Sequence, residues 1–236
     1  MTVPAPGPLL GAGRSADVYA LDGERVLRRF RFDIDLTAEA RLMRYLHARG
    51  YPVPAVHDID GRSMVLQRLT GRTMLEDGLA HPERLFRYAR MLAGLHARLH
   101  EIPAPDDLPG HGVNAQARRV LHLDLHPGNV LVTADGPYVI DWTIARAGDP
   151  AADVARTIVA LRTGTVEAPT LWLRTWTRVL RPVFLRSFGS AAGLELAPHW
   201  RSEIEARIAD PAVYDSERVR LRRWLARLGR EAGSGA

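Results

Sequence analysis

Short apolar runs alternate with tight-turn dipeptides in the first third of the chain and again near its middle. Three Asp-Gly dipeptides separate these runs, and Asp-Gly between apolar segments is typical of a two-residue β-hairpin turn. The pattern therefore predicts three hairpins. Their strands are Asp17–Leu21 with Arg25–Phe32, Val53–Ile59 with Ser63–Leu69, and Val130–Thr133 with Tyr138–Trp142.

Apolar residues at helical spacing predict helices between and after these hairpins. The segment Leu36–Arg49 has an apolar face and is followed by Gly50, a common helix stop. Beyond Gly71 the pattern is mainly helical, and Asp149-Pro150 is typical of a helix start. The predicted helices there run from about Leu85 to Leu99 and over Ala151–Arg162, Thr170–Phe188 and Ser216–Arg230.

Composition narrows the class of protein without identifying a function. The 236 residues are 46% hydrophobic and 25% charged, as in an ordinary globular protein, and no run approaches the ~20 apolar residues of a membrane span. The start of the chain has no signal-peptide pattern, so we expect a cytoplasmic protein. A net charge of +5 with interspersed signs argues against nucleic acid as a partner, and the absence of cysteine excludes thiol chemistry.

The segment from His122 to Trp142 has the pattern expected of a phosphoryl-transfer site. Asp124 and Asn129 precede the third hairpin, and Asp141 lies at its end. Phosphoryl transfer needs a carboxylate near the accepting hydroxyl and oxygen ligands for Mg²⁺ near the phosphates. Because the hairpin folds the chain back, Asn129 and Asp141 are expected at one cleft. Asp124 is therefore the candidate catalytic base, and Asn129 and Asp141 are the candidate Mg²⁺ ligands.

These residues also resemble a known family. The His-x-Asp-x-x-x-x-Asn pattern and the strand ending in Ile-Asp resemble the catalytic and metal loops of the protein-kinase-like superfamily. The Asp-Leu-His-Pro-Gly-Asn sequence and the following Trp142 resemble its aminoglycoside phosphotransferase and choline kinase branch. The resemblance implies an α+β, two-lobed fold, with a small antiparallel β-sheet lobe carrying one helix and a larger, mainly helical lobe. It also implies transfer of the γ-phosphoryl group of a nucleoside triphosphate, ATP or GTP, to a small hydroxylated acceptor, with Mg²⁺ as cofactor.

A glycine-rich turn and a strand supply the predicted nucleotide contacts. Gly11 and Gly13 lie where backbone N–H groups can approach phosphates, and by resemblance Val18 covers the adenine. Val26 and Arg28 share one strand face, because strand side chains alternate with a period of two. In the kinase arrangement that face is turned toward the nucleotide.

Arg28 is a departure from the family pattern. It stands where relatives usually have a lysine, and all 32 basic residues of this chain are arginines. Glu39 on the following helix is its expected ionic partner, although a solvated helix charge is the alternative for Glu39. An arginine can pair with phosphate or carboxylate, but its planar head is not interchangeable with an ammonium. The departure therefore keeps open a second hypothesis, a nucleotide-binding or scaffolding pseudokinase without useful turnover.

The change from hairpins to helices predicts the lobe boundary. Residues 1–69 are predicted to form the N-terminal nucleotide-binding lobe, and residues 70–236 the C-terminal catalytic and substrate-binding lobe. By resemblance, the segment between the lobes is the hinge that meets the adenine edge, so Gln67 and Leu69 are predicted nucleotide contacts. A protein kinase is disfavoured, because the chain lacks Asp-Phe-Gly and Ala-Pro-Glu motifs.

The remaining motifs leave the acceptor undefined. Residues 165–236 contain 12 arginines against 8 acidic residues, which argues against a polycationic acceptor. Asp149 and Asp153 match a Gly-Asp-Pro-x-x-Asp segment of relatives, for which helix capping is a sufficient explanation. The Arg220–Arg230 segment has arginines opposite an apolar face, and we expect that face to pack on the large lobe rather than on a membrane or an acidic partner.

Overall fold

The computed structural model describes residues 6–13, 15–112, 117–164, 176–211 and 213–233. The chain forms two compact units. The first contains Met1–Thr73 and Asn129–Thr143, and the second contains Met74–Gly128 and Ile144–Ala236. The third hairpin therefore belongs to the first unit, whereas the predicted division had placed it with residues 70–236.

Ten strands and seven α-helices account for most of the described residues. The strands are β1 (Leu9–Ala12), β2 (Ala16–Ala20), β3 (Arg25–Phe30), β4 (Val56–Asp60), β5 (Ser63–Gln67), β6 (Gly71–Thr73), β7 (Arg119–Leu121), β8 (Val130–Thr133), β9 (Gly136–Val139) and β10 (Arg146–Gly148). The helices are α1 (Thr37–His47), α2 (Met74–Ala80), α3 (Leu85–His100), α4 (Pro150–Thr163), α5 (Arg181–Ala192), α6 (Trp200–Ala209) and α7 (Asp215–Gly233). No described helix is long and apolar enough to cross a membrane.

The first unit is built on an antiparallel sheet in the order β1-β2-β3-β5-β4, with α1 between β3 and β4 in the chain. The apolar face of α1, which includes Leu42, Met43 and Leu46, is buried. The three predicted hairpins form, but in the second and third the two-residue loop is shifted by one residue from the Asp-Gly dipeptide: Gly61-Arg62 joins Asp60 to Ser63, and Ala134-Asp135 joins Thr133 to Gly136. Asp22 Oδ1 accepts hydrogen bonds from the backbone N–H groups of Glu24 and Arg25, at 2.9 and 2.7 Å, which closes the turn before β3.

A smaller sheet of the first unit explains the position of the third hairpin. β6 pairs with β8, and β8 pairs with β9. The Val139 N–H also donates to the Pro52 carbonyl oxygen at 2.7 Å, and the ring of Trp142 packs edge-on against Tyr51 at 5.7 Å. These contacts join residues 129–143 to the first unit and move its boundary from the predicted position near Leu69 to Thr73.

Several predicted element bounds need correction. β4 begins at Val56 rather than Val53, because Pro54 has no N–H for a strand ladder. The last hairpin strand ends at Val139 rather than Trp142, because the backbone at Asp141 turns to a positive φ. Of the predicted helix Thr170–Phe188, residues 170–175 lie outside the described residues, and a π-helical segment, Trp176–Leu180, precedes α5.

The second unit is mainly helical, and α4 and α7 contribute side chains to one hydrophobic core. α3 packs against α5, and α4 packs against α6 and α7. The apolar face predicted for the C-terminal helix packs inside this unit. Its core cluster comprises Val159, Ile204, Val213, Leu221 and Trp224.

Candidate functional site

Arg28 connects two carboxylates in the first unit. It lies on β3 between Val18 of β2 and Met64 of β5. Its Nη1 donates to Glu39 Oε1 at 2.7 Å, and its Nη2 donates to Asp141 Oδ1 at 2.8 Å. The two nitrogens of one guanidinium therefore hold the predicted helix partner and the predicted metal ligand at the same time.

Burial makes this connection electrostatically strong. The side chains of Arg28 and Glu39 are only 14% and 6% exposed. Burial by itself lowers the pKa of Arg28, but the negative charges of Glu39 and Asp141 more than offset this, and the pKa is raised above its ordinary value. Arg28 therefore stays charged and neutralises the buried Glu39, so the alternative of a solvated Glu39 is wrong.

Thr143 is a part of this cluster that sequence reasoning missed. Its hydroxyl lies 2.9 Å from Asp141 Oδ1 and 3.4 Å from Glu39 Oε2, so it can donate to either carboxylate. The Trp142 N–H donates to Glu39 Oε1 at 3.3 Å. Glu39 thus anchors the chain just after Asp141. The only sequence signal was the position of Thr143 two residues after the predicted metal ligand.

Asn129 and Asp141 lie at the open end of the β8–β9 hairpin, where Asn129 directly precedes β8 and Asp141 follows β9 by two residues. The Ile140 N–H donates to the Asn129 carbonyl oxygen at 3.0 Å. Asp141 has a φ of 67°, in the left-handed region that few residues other than glycine adopt. Its side chain is 45% exposed although Arg28 and Thr143 contact Oδ1. A carboxylate and an amide both offer hard oxygen donors, so these two residue types fit Mg²⁺.

The predicted phosphate-covering turn lies between β1 and β2. Gly11 pairs with Val18, and the Gly13 N–H donates to the Ala16 carbonyl oxygen at 2.8 Å. A Cβ added at Gly13 would lie only 2.8 Å from that oxygen, so this position requires glycine. Val26 is buried on the β3 face that also carries Arg28.

The predicted hinge residues follow β5. Gln67 is its last residue, and its Oε1 accepts a hydrogen bond from the Ala55 N–H at 3.3 Å. Leu69 lies half-buried between β5 and β6. The Gln67 side chain therefore supports the neighbouring chain, and only backbone groups of this segment are candidates for recognising a base.

In the second unit, Asp124 lies on a loop whose backbone is hydrogen-bonded by Asp153. Asp153 Oδ2 accepts from the His122 N–H at 3.1 Å, and Oδ1 accepts from the Leu123 N–H at 2.7 Å. Leu123 has a φ of 63°, a strained conformation for a branched apolar residue. Asp149 does cap α4, but Asp153 is fully buried and holds the loop, so helix capping alone does not explain this motif.

Asp153 remains charged inside the second unit. Its burial by itself raises the pKa, but the hydrogen bond with His100, at 3.0 Å, and the nearby histidines lower it more, so the pKa of Asp153 lies well below its usual range. A buried carboxylate accepting two backbone N–H bonds is stable in the charged form. The sequence motif marked this residue, but not its partners.

Two histidines orient the surroundings of Asp124. The buried His122 Nδ1 accepts from the Asp124 N–H at 3.2 Å, so this nitrogen carries no proton. His126 Nδ1 accepts from the Gly128 N–H at 3.0 Å, which leaves the proton of the neutral ring on Nε2, 3.7 Å from Asp124 Oδ2. His122 therefore holds the loop.

Arg156 is a further neighbour that the sequence did not single out. This buried side chain on α4 donates through Nη1 to the Glu203 carbonyl oxygen at 3.2 Å. Burial, together with the positive charge of Arg207, lowers its pKa, while negative charges including that of Asp124 act in the opposite direction. The second unit therefore contains a cation, Arg156, that interacts electrostatically with Asp124.

We expect Arg28→Lys to lower the free energy of unfolding by about 1.5–3 kcal/mol, measured by urea denaturation. One ammonium cannot reproduce the fork in which two guanidinium nitrogens hold Glu39 and Asp141. Arg29→Lys is the matched control. Arg29 lies next to Arg28 on β3, and its Nε donates one hydrogen bond, to Ser63 Oγ of β5. Equal changes in the two variants would contradict the role assigned to the fork.

A second prediction concerns His96, which is buried beneath the Asp124 loop. Its Nε2 lies 3.2 Å from Thr157 Oγ1, and that hydroxyl lies 2.9 Å from the Leu125 carbonyl oxygen. Burial lowers the pKa of His96 to about 4. Since an unfolded histidine titrates near ~6.5, the unfolded chain binds a proton that the folded protein does not, and stability should fall by up to ~3 kcal/mol as the pH drops from ~6.5 to about 4.

Urea denaturation across this pH range tests the prediction. His96→Gln should flatten the pH dependence, whereas His57→Gln, at an exposed position, should leave it unchanged. If both variants keep the wild-type slope, His96 is not the group responsible.

Comparison with solved structures identifies the fold. The gentamicin complex of APH(2″)-IIa is 14% identical, with a TM-score of 0.62 over 85% of this chain and 81% of the other. A choline/ethanolamine kinase family protein from Mesorhizobium loti is 17% identical, with a TM-score of 0.56 over 95% of this chain and 87% of the other. A thermostable mutant of aminoglycoside phosphotransferase APH(4)-Ia, in a ternary complex with AMP-PNP and hygromycin B, is 15% identical, with a TM-score of 0.53 over 94% and 92%.

At these identities the similarity establishes the fold alone, and the predicted protein-kinase-like α+β fold is confirmed. A comparison with curated protein sequences gives no match. The family model described as the phosphotransferase enzyme family matches residues 7–116 and 106–204, which is most of the chain. The protein therefore belongs to the phosphotransferase enzyme family, as a phosphotransferase with an alcohol group as acceptor.

Proposed function

We propose that this protein is a small-molecule kinase that transfers the γ-phosphoryl group of a nucleoside triphosphate to a substrate hydroxyl. One observation carries the proposal. Among the described residues other than glycine, only Leu123 and Asp141 have a positive φ. One precedes the candidate base Asp124, and the other is a candidate metal ligand. Strained backbone of this kind costs ~1–3 kcal/mol per residue and concentrates at functional sites.

Asp124 is proposed to accept, or orient, the proton of the acceptor hydroxyl. The loop that carries it is held by the buried Asp153 and by the unprotonated Nδ1 of His122. A base fixed in this way needs little reorganisation when the hydroxyl attacks, and catalysis is then mainly a matter of positioning. His126 Nε2 lies 3.7 Å from the same carboxylate, a distance at which it can interact with it electrostatically but does not hydrogen-bond to it.

Asn129 and Asp141 are proposed to hold Mg²⁺. The ion, when bound, neutralises the phosphate charge that develops during transfer. Thr143 and Arg28 fix Asp141 Oδ1, so the carboxylate is oriented in advance. Gly11 and Gly13 are proposed to bring backbone N–H groups to the phosphates, with Val18 and Val26 against the base and the Gln67–Leu69 backbone at its edge.

Arg28 is proposed to replace the usual lysine in steadying the phosphates. Its guanidinium is already held by Glu39, and arginine binds phosphate oxygens well. ATP is the expected donor, because the related APH(4)-Ia structure contains AMP-PNP. The GDP complex of a related aminoglycoside 2′-phosphotransferase makes GTP the alternative. A cytoplasmic location stays a prediction.

The acceptor is proposed to be a small hydroxylated molecule rather than a polycation. Arg156 contributes positive charge near Asp124. Such a charge repels an acceptor that carries several ammonium groups. The excess of arginine over acidic residues in the last third of the sequence points to the same conclusion.

A second candidate function rests on the pair between Arg28 and Asp141. A cation 2.8 Å from the proposed metal ligand competes with Mg²⁺ for the carboxylate. If that pair prevails, the protein is a nucleotide-binding or scaffolding member of the fold without useful turnover.

Calorimetric titration of ATP and of GTP, with and without Mg²⁺, separates these candidates. We expect Mg²⁺-dependent binding in the wild type. Asp141→Ala should weaken Mg²⁺-dependent nucleotide binding by more than ~10–100-fold. That range is the usual cost of losing a residue that only supports a metal ligand. Asp33→Ala, at an exposed position of the first unit, is the control. Mg²⁺-dependent binding without ADP release on a panel of hydroxylated acceptors would favour the second candidate. An absence of nucleotide binding would exclude the kinase and leave only a scaffolding role.

A further inference from the structure

A cavity in the second unit is surrounded by positive charge and has no part in the proposed reaction. It has a volume of about 240 Å³. The residues that line it come from the C-terminal end of α4 and from one face of α7. They are Arg162, Thr163, Arg220, Arg223, Trp224 and Arg227. No carboxylate lines it among the side chains that the structure describes.

Two of the four arginines are held in place by the fold. The Nε of Arg220 donates to the Thr163 carbonyl oxygen at 2.8 Å. The guanidinium carbon of Arg162 lies over the Trp224 ring, 4.3 Å from its centroid. Trp224 itself belongs to the buried core cluster with Leu221, so this support is rigid. Guanidinium groups held in advance lose less conformational entropy when they bind a ligand.

The spacing of the α7 arginines concentrates the charge further. Arg220, Arg223 and Arg227 are three and four residues apart, which places them along one side of the helix. Like charges so arranged repel one another and disfavour the helix. A solvated helix face can carry such a row, but it does not need to be concave or to include a fourth arginine from another helix.

The other charges near the cavity leave its positive character intact. The carboxylate of Glu217 lies 3.3 Å from Thr163 Oγ1 but already accepts from Arg207 Nε at 2.9 Å. The carbonyl groups at the end of α4 would repel an anion. However, Arg220 donates to the Thr163 carbonyl oxygen, and Arg181 Nη1 donates to the Gly164 carbonyl oxygen at 3.1 Å.

We infer that this arginine-lined cavity binds a small polyanion with two or three linked phosphate groups. Arginine presents up to five N–H donors in a planar fork that fits phosphate oxygens in pairs. Four guanidiniums around one cavity match several phosphate groups better than a single one. Asp124, Asn129 and Asp141 do not line this cavity, so the inference does not depend on the proposed kinase activity.

Calorimetric titration with inorganic tripolyphosphate, and with inorganic phosphate, tests the inference. Both titrations use the full chain carrying Asp141→Ala, without Mg²⁺, so that the proposed nucleotide site contributes little. We expect tripolyphosphate to bind at least about tenfold more tightly than phosphate, because it engages more guanidiniums. Arg223→Gln/Arg227→Gln should weaken tripolyphosphate binding by about tenfold or more.

The matched control is Arg222→Gln, which removes an exposed arginine of the same helix that does not line the cavity. Arg162→Gln provides a second cavity variant in case the double variant is poorly folded. Selective loss in the cavity variants supports the site. The inference is overturned if tripolyphosphate does not bind, if phosphate binds equally well, or if Arg222→Gln weakens binding as much as the cavity variants.

Discussion

Asp124→Asn is expected to transfer phosphoryl groups about 10²- to 10⁴-fold more slowly than the wild type, the usual contribution of a general base. The amide has nearly the same shape as the carboxylate but accepts a proton poorly. The loop should keep its conformation, because His122 and Asp153 bind the backbone of this segment and not the Asp124 side chain. The loss should therefore fall on kcat, with nucleotide affinity unchanged.

Measurement of ADP release with an active acceptor, together with nucleotide titration, checks this prediction. Asp33→Asn is the matched control, because it removes one exposed carboxylate from the first unit. A variant that retains wild-type kcat would remove Asp124 from the role of base. Loss of nucleotide affinity in place of kcat would point to a binding role instead.

Asp153→Asn is expected to destabilise the protein by about 3–5 kcal/mol, the typical cost of breaking a buried charged network. The carboxylate has no exposed surface and accepts from His122 N–H, Leu123 N–H and His100. An amide has one acceptor oxygen, and its NH₂ group would face another donor. Leu123 would lose the contact that holds its positive φ, so kcat should fall as well.

Urea denaturation and ADP release test both parts of this prediction. Asp149→Asn is the control on the same helix, because asparagine caps a helix N-terminus about as well as aspartate. It should change stability by less than about 0.5 kcal/mol. If Asp149→Asn and Asp153→Asn behave alike, then Asp153 acts only as part of the helix start.

The charge of Asp153 also gives its contribution a pH dependence. Its pKa is depressed in the folded protein, so the stabilisation is present above the unfolded pKa of ~3.9 and is lost as the pH falls below that value. The loss attributed to His96 occurs at higher pH, between ~6.5 and about 4. Two successive steps of destabilisation are therefore expected on acidification. Asp153→Asn should remove the lower one and, because the charge of Asp153 raises the pKa of His96, should also extend the upper one to lower pH.

The hairpins and long helices were predictable because their signals are local. Asp-Gly turns and periodic apolar residues act over a few positions, and α1, α3 and α4 form close to their predicted bounds. The short strands β1, β6, β7 and β10 were missed, because three or four residues form a strand only when a partner supplies hydrogen bonds. That partner is distant in sequence for β6, which pairs with β8.

The candidate site, too, was predictable from the sequence only in part. The residue types at Asp124, Asn129 and Asp141 pointed to phosphoryl transfer from sequence alone, since the chemistry requires a carboxylate near the accepting hydroxyl and oxygen ligands for Mg²⁺. Spacing could not show that Arg28 would meet Asp141, because the two are 113 residues apart and are joined only when β3 and the end of the hairpin lie together. It also could not distinguish Asp149 as a cap from Asp153 as a loop anchor, because burial decides that difference.

The sequence by itself therefore determined the family pattern, the helical and hairpin segments and the types of residue available for chemistry. Only the tertiary structure decided which charges meet: Glu39 and Asp141 on one guanidinium, and the backbone of the Asp124 loop on Asp153. The physical reason is that local propensities act over a few residues, whereas the energy of a charge depends on its burial and on its partners. Both of these exist only once distant segments have packed.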